Sequence, residues 1–143
     1  RRPVEGAPWR HEPDLLALAR DVDVLVVAVP GGDATRGLVS AEVIEALGPQ
    51  GVLINIARGE VVDQAALIAA LREGRLGGAG LDVFDGEPHV PQALIDSDRC
   101  VLAPHMASAT VEARTAMADL MIANLEAVLS GDAALTPVPS DQR

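Results

Sequence analysis

Apolar and polar positions along the chain follow two alternating rhythms. Val24-Leu25-Val26-Val27-Ala28-Val29 is an unbroken, largely β-branched run, the pattern of a parallel strand buried on both faces. Val52-Leu53-Ile54-Asn55-Ile56 repeats it, Leu76 to Val83 gives a third, Gly-rich run, and Arg99-Cys100-Val101-Leu102 a short fourth. Between them the apolar residues recur at helical spacing. Pro13 to Ala19 carries Leu15, Leu16 and Leu18. Ser40 is placed to cap a helix over Ala41 to Leu47, and Asp63 to cap one over Gln64 to Glu73, with Leu67, Ala70 and Leu71 at core spacing. Pro30-Gly31-Gly32, Gly48-Pro49-Gln50-Gly51 and Gly74 punctuate the elements.

Strands alternating with helices predict right-handed crossovers and an α/β, doubly wound parallel sheet. The longest helix is expected after Thr110, running to about Leu129. Met117, Leu120, Met121, Ile122, Leu125, Val128 and Leu129 cover more than half its circumference, so it is expected to pack against two partners. Gly131 to Arg143 reads as a frayed tail.

Composition narrows the picture. The 143 residues are 49% hydrophobic and 1% aromatic, so the core must be aliphatic. A formal net charge of -10 argues against nucleic acid, whose affinity comes from cationic neutralisation of phosphate. The single Cys100 cannot form an intrachain disulfide, which suits a reducing, cytoplasmic setting, and no apolar run is long enough for a membrane span. Cys100 itself reads as a small buried hydrophobe. His11 and His89 have no supporting motif, and no metal-ligand spacing is present. Trp9 reads as a loop residue that lines a surface or anchors partly in the core. Asp85 and Glu60 read as solvated charges.

Three polar residues follow directly on strand-like runs: Arg58 in Asn55-Ile56-Ala57-Arg58-Gly59, Glu87 in Asp82-Val83-Phe84-Asp85-Gly86-Glu87-Pro88, and His105 in Ala103-Pro104-His105-Met106-Ala107-Ser108. Ligands of open parallel sheets bind beyond the carboxyl ends of the strands. An arginine fork can hold the carboxylate of a 2-keto acid. An imidazolium can protonate the oxygen as hydride reaches the carbonyl carbon. A carboxylate on the other ring nitrogen orients the imidazole and favours its charged form. Arg58 as anchor, His105 as acid/base and Glu87 as its partner follow.

Asn55 to Asp63, Gly80-Leu81-Asp82-Val83-Phe84 through Glu87-Pro88, and Pro104 to Thr110 resemble the D-isomer-specific 2-hydroxyacid dehydrogenases, most closely their glyoxylate/hydroxypyruvate reductase branch. The resemblance runs from Arg1 to about Leu129. It implies a Rossmann-like NAD(P)-binding domain, homodimers, and small 2-keto acids such as glyoxylate or hydroxypyruvate as substrates. It matches Arg58, Glu87 and His105 to the family's catalytic arginine, glutamate and histidine, and Asp82 to its nicotinamide-carboxamide aspartate. Cofactor contacts match Val29, Pro30, Ile56, Ala57, Arg58, His105 and Ala107. Arg1 and Arg2 fall beside the adenosine ribose, where arginine meets a 2'-phosphate, so NADP(H) is favoured over NAD(H). The implied organisation is the carboxyl-terminal part of a dinucleotide-binding domain over 1–107, a long helical segment over 108–130 packing on a second domain or subunit, and a flexible tail over 131–143. The family's Gly-x-Gly-x-x-Gly phosphate loop and substrate domain have no counterpart here, and Gly77-Gly78-Ala79-Gly80 does not replace the loop. The expectation is a carboxyl-terminal piece of a full enzyme, inactive by itself. Two alternatives stand beside the reductase: a dinucleotide-sensing, corepressor-like binding protein, and an inactive truncated product.

Overall fold

The computed structural model describes residue 6 and residues 8–138; Arg1 and Arg2 lie outside the described residues. The chain divides into two compact units, residues 1–105 and 106–143.

The first unit is a parallel α/β sheet. Strands β1 (Val24–Val27), β2 (Val52–Asn55), β3 (Gly78–Leu81) and β4 (Cys100–Leu102) lie in the order β1-β2-β3-β4, every pair parallel. The register pairs Val27 with Asn55 and Asn55 with Leu81, so the three strands end level. Loops leaving those ends are thereby brought side by side. Helices α1 (Leu15–Asp21), α2 (Ala41–Leu47) and α3 (Gln64–Arg72) connect or precede the strands. Their buried residues Ala19, Val43, Ile44, Leu47, Leu67, Ala70 and Leu71 join Leu25, Val27, Leu53 and Leu81 in one aliphatic cluster. Asp63 caps α3 as expected, accepting from the Ala66 N–H at 3.0 Å. Ser40 begins α2 without a side-chain cap bond.

Two elements were not anticipated. Gly59–Val61 forms one 3-10 turn, and Gln92–Ile95 forms a short helix α4 whose Leu94 is buried in the same cluster. Both are shorter than the window over which apolar periodicity is readable.

The expectation that the first strand is buried on both faces is corrected. Leu25 and Val27 are buried, but Val24 and Val26 are 50% and 55% exposed, and Val101 on β4 is 76% exposed. Helices sharing the buried cluster cover one face of the sheet, while the other is open among the described residues. An unbroken apolar run reports what a strand is built to bury, not what this chain supplies to cover it. Trp9, 67% exposed, is not a core anchor.

In the second unit, helix α5 (Val111–Leu129) starts at Thr110, whose Oγ1 accepts from the Ala113 N–H at 3.2 Å. None of its residues is buried. The Asn124 side chain donates to Thr136 Oγ1 and accepts from the Thr136 N–H, each at 3.0 Å, tying the following segment back to the helix. No helix among the described residues is long and apolar enough to cross a membrane, and no His/Cys/Asp/Glu group among them could hold a metal.

Candidate active site

Arg58 lies three residues beyond the last residue of β2, on a turn built by Asn55. Asn55 is 1% exposed at the strand end. Its Oδ1 accepts from the Ala57 N–H and its Nδ2 donates to the Arg58 carbonyl, both at 3.0 Å. A buried amide with both ends satisfied locks the backbone on either side of it. The turn therefore presents Arg58 in one direction. One guanidinium nitrogen, Nη1, donates to the Ala57 carbonyl at 2.6 Å. The rest of the fork has no hydrogen-bond partner among the described residues, leaving donors for an anion.

Glu87 lies on the loop after β3. Its Oε1 accepts from the Phe84 N–H at 2.9 Å, which folds the side chain back against its own loop. Oε2 stands 2.8 Å from His105 Nδ1. An ionised carboxylate only accepts, so Nδ1 carries the proton and Nε2 is left for a ligand. The hydrogen bond from His105, then that from the Phe84 N–H, hold the Glu87 carboxyl below the usual value of 4.5; desolvation opposes them, and the charges of His105 and Arg58 add to the lowering.

His105 follows β4 with φ 52°, and it is the one non-glycine among the described residues with positive φ. Such a conformation costs an ordinary side chain roughly 1–2 kcal/mol, and histidine is among the residue types that adopt it more often.

The loops meet because Gly59 has no side chain. A Cβ there would stand 1.9 Å from the Phe84 carbonyl carbon, so only glycine lets the arginine turn rest on the glutamate loop. Gln64 fastens the same junction: its Oε1 accepts from the Asp85 N–H at 3.0 Å and its Nε2 donates to the Asp85 carbonyl at 3.3 Å. Arg58, Glu87 and His105 thus line one cleft of about 180 Å³, together with Gly59, Glu60 and Phe84. Arg58 also borders a second cleft of about 440 Å³, walled by Ala28, Val29, Pro30, Gly31, Ile56 and Ala57. Asp82 is buried just past the end of β3, its N–H donating to the Asn55 carbonyl at 3.0 Å. Ala107 belongs to the second unit.

The structure brings together Arg58, Glu87 and His105 in one cleft, and Val29, Pro30, Ile56, Ala57 and Arg58 in the other. Sequence reasoning missed Asn55 and Gln64, and misread Glu60. Asn55 did leave a signal, a polar residue interrupting an apolar strand. Glu60, taken as a solvated charge, instead accepts from the Gly32 N–H at 2.9 Å and pairs with Arg36 at 2.8 Å. Cys100 is half-buried, and that burial pushes its thiol up, away from nucleophilic use.

Residues 5–107 match the NAD binding domain of the D-isomer specific 2-hydroxyacid dehydrogenases. The chain belongs to this family. It is 55% identical over 130 residues to glyoxylate/hydroxypyruvate reductase A of Arabidopsis thaliana, covering 91% of this chain and 42% of that protein. It is 56% identical over 124 residues to hydroxyphenylpyruvate reductase of Plectranthus scutellarioides, covering 87% and 40%. Among solved structures, the NADPH-dependent glyoxylate/hydroxypyruvate reductase of Sinorhizobium meliloti, in complex with NADP and malonate, superposes with a TM-score of 0.93 at 51% identity, over 96% of this chain and 43% of that one. The chain spans about two-fifths of the length of these relatives.

The larger cleft suits a flat, largely apolar part of a dinucleotide. Its walls are mostly aliphatic side chains, no acidic side chain lines it, and Gly31 leaves backbone exposed to a flat ring. Val29, Pro30, Ile56 and Ala57, which the family resemblance matches to cofactor contacts, all line it.

Proposed function

We propose that this chain carries the catalytic trio of a 2-keto acid reductase, a D-2-hydroxyacid dehydrogenase acting on small substrates, with glyoxylate and hydroxypyruvate first. The observation that carries the reading is the 2.8 Å His105–Glu87 pair sharing one cleft with the open guanidinium fork of Arg58.

In this reading Arg58 holds the substrate carboxylate and steadies the adjacent carbonyl oxygen. When bound, a nicotinamide dinucleotide supplies the hydride. As the carbon–oxygen π bond breaks, His105 Nε2 gives its proton to the oxygen, completing the alcohol. Glu87 stays ionised throughout, because its partners hold its carboxyl low, and so stabilises the imidazolium before transfer. Asp82 would take the carboxamide of the nicotinamide, and Ala107 would be a further cofactor contact. The cofactor is NADP(H) in preference to NAD(H), with Arg1 and Arg2 on the 2'-phosphate. The working protein is a cytoplasmic homodimer, without nucleic-acid or membrane partners.

The test is reduction of glyoxylate and hydroxypyruvate by the full-length protein, followed at 340 nm with NADPH and NADH separately. Turnover of at least one keto acid, with higher catalytic efficiency for NADPH, is expected. Absence of turnover with both cofactors and both substrates removes the reading.

A further inference from the structure

We propose that Glu60 is a positioning residue for Arg58, acting through the loop 30–37 that it latches. The proposal rests on Arg58 being the carboxylate anchor.

Glu60 grips that loop at three points. Oε1 accepts from the Gly32 N–H at 2.9 Å, Oε2 pairs with Arg36 Nη2 at 2.8 Å, and the Glu60 carbonyl accepts from the Gly37 N–H at 2.8 Å. The loop is braced internally as well, since Thr35 Oγ1 donates to the Pro30 carbonyl at 2.7 Å. A braced loop held from one side can serve as a wall, and what it walls is the stem of Arg58. A Cβ added to Gly31 would stand 2.7 Å from Arg58 Cγ and 3.2 Å from both Arg58 Cβ and Glu60 Oε1. The Arg58 stem therefore lies directly on the Gly31 backbone. If the loop moves away, the stem loses its support and the fork its aim.

The two bonds of the Glu60 carboxylate are unequal. Arg36 is 58% exposed in its side chain, so that ion pair is screened and weak. The Gly32 bond comes from a backbone N–H, which a neutral amide oxygen can also accept, and it fixes the residue next to Gly31. The latch thus depends more on an acceptor at this position than on charge, which makes the proposal separable from a general electrostatic or folding role.

The experiment uses the full-length protein with saturating NADPH, glyoxylate as substrate and oxamate, a non-reacting carboxylate analogue, as binding probe by calorimetry. Glu60→Ala should raise the glyoxylate KM and the oxamate Kd about tenfold, the scale of one lost charge-assisted hydrogen bond. The pH profile of kcat should not move, because the His105–Glu87 pair is untouched. Glu60→Gln, which keeps an acceptor for Gly32, should restore most of the binding. Gly31→Ala, whose Cβ would push the Arg58 stem off the loop, should reproduce the Glu60→Ala defect. In an Arg58→Ala background, Glu60→Ala should add nothing. Unchanged oxamate binding in folded Glu60→Ala, or full additivity with Arg58→Ala, overturns the latch while leaving the anchor intact. Unchanged oxamate binding in Arg58→Ala alone overturns the anchor itself, and the latch with it.

Discussion

The arginine side and the histidine side of the cleft are built by opposite means. Arg58 sits on a turn pinned by a buried amide, with Gly31 backbone under its stem and Gly59 pressed on the neighbouring loop. His105 is half exposed, with a 47% accessible side chain; the Glu87 carboxylate holds the ring and a left-handed backbone carries it. The contrast suits the roles proposed for the two. A group that holds a substrate loses affinity with every degree of freedom it keeps. A group that passes a proton must meet both substrate and solvent, and burial would oppose its charge. Rigidity is placed where geometry decides, and access where protonation decides.

The comparison is best broken from the histidine side. His105→Ala should lower kcat of keto-acid reduction by roughly 10²–10⁴-fold, the usual weight of a general acid, with a much smaller change in KM. Steady-state kinetics on the full-length protein decide it, and near-normal kcat would end the assignment of His105 as acid.

A smaller effect is expected on the other side, and mainly in stability. Asn55→Ala strands the Ala57 N–H and leaves the Arg58 carbonyl only its bond from the Val61 N–H, which should cost about 1–3 kcal/mol. Denaturant midpoints measure this, and the variant should also bind substrate more weakly because the turn loosens. A midpoint unchanged from the parent would mean that the turn holds itself without the amide.

The smallest effect is in acid. The Glu87 carboxyl is held below its ordinary value of 4.5 in the folded protein. A lowered folded value stabilises the fold above the unfolded value and loses that contribution as pH falls through the folded one. Stability should therefore decline below about pH 4.5 less steeply in Glu87→Gln than in the parent. The difference will be modest, because Glu87 is about one-third exposed in its side chain. Identical acid unfolding of the two proteins would show that the pair adds nothing to the fold.

How far all this was readable in advance depended on the range of the interaction. Val24 to Val27, Val52 to Asn55 and the helices led by Asp63 and Thr110 were legible because strand runs, helical spacing and caps are local patterns. Gln92–Ile95 was not, since four residues carry no readable period. That Arg58, Glu87 and His105 share one cleft was legible from their places just past strand ends and from motif spacing. Glu60 and Gln64 were not, for their partners are 28 and 21 residues away along the chain. A carboxylate that latches a loop and one that faces water look the same until the loop is folded against it. The covering of the sheet was misjudged for the same reason.

That open face also has a meaning for handling. The exposed Val24, Val26 and Val101 stand on a sheet whose outer strand β1 pairs on one side only among the described residues. Unpaired strand backbone beside bare aliphatic side chains is a template for self-adhesion. Wherever that surface stays uncovered, self-association along β1 should rise with protein concentration.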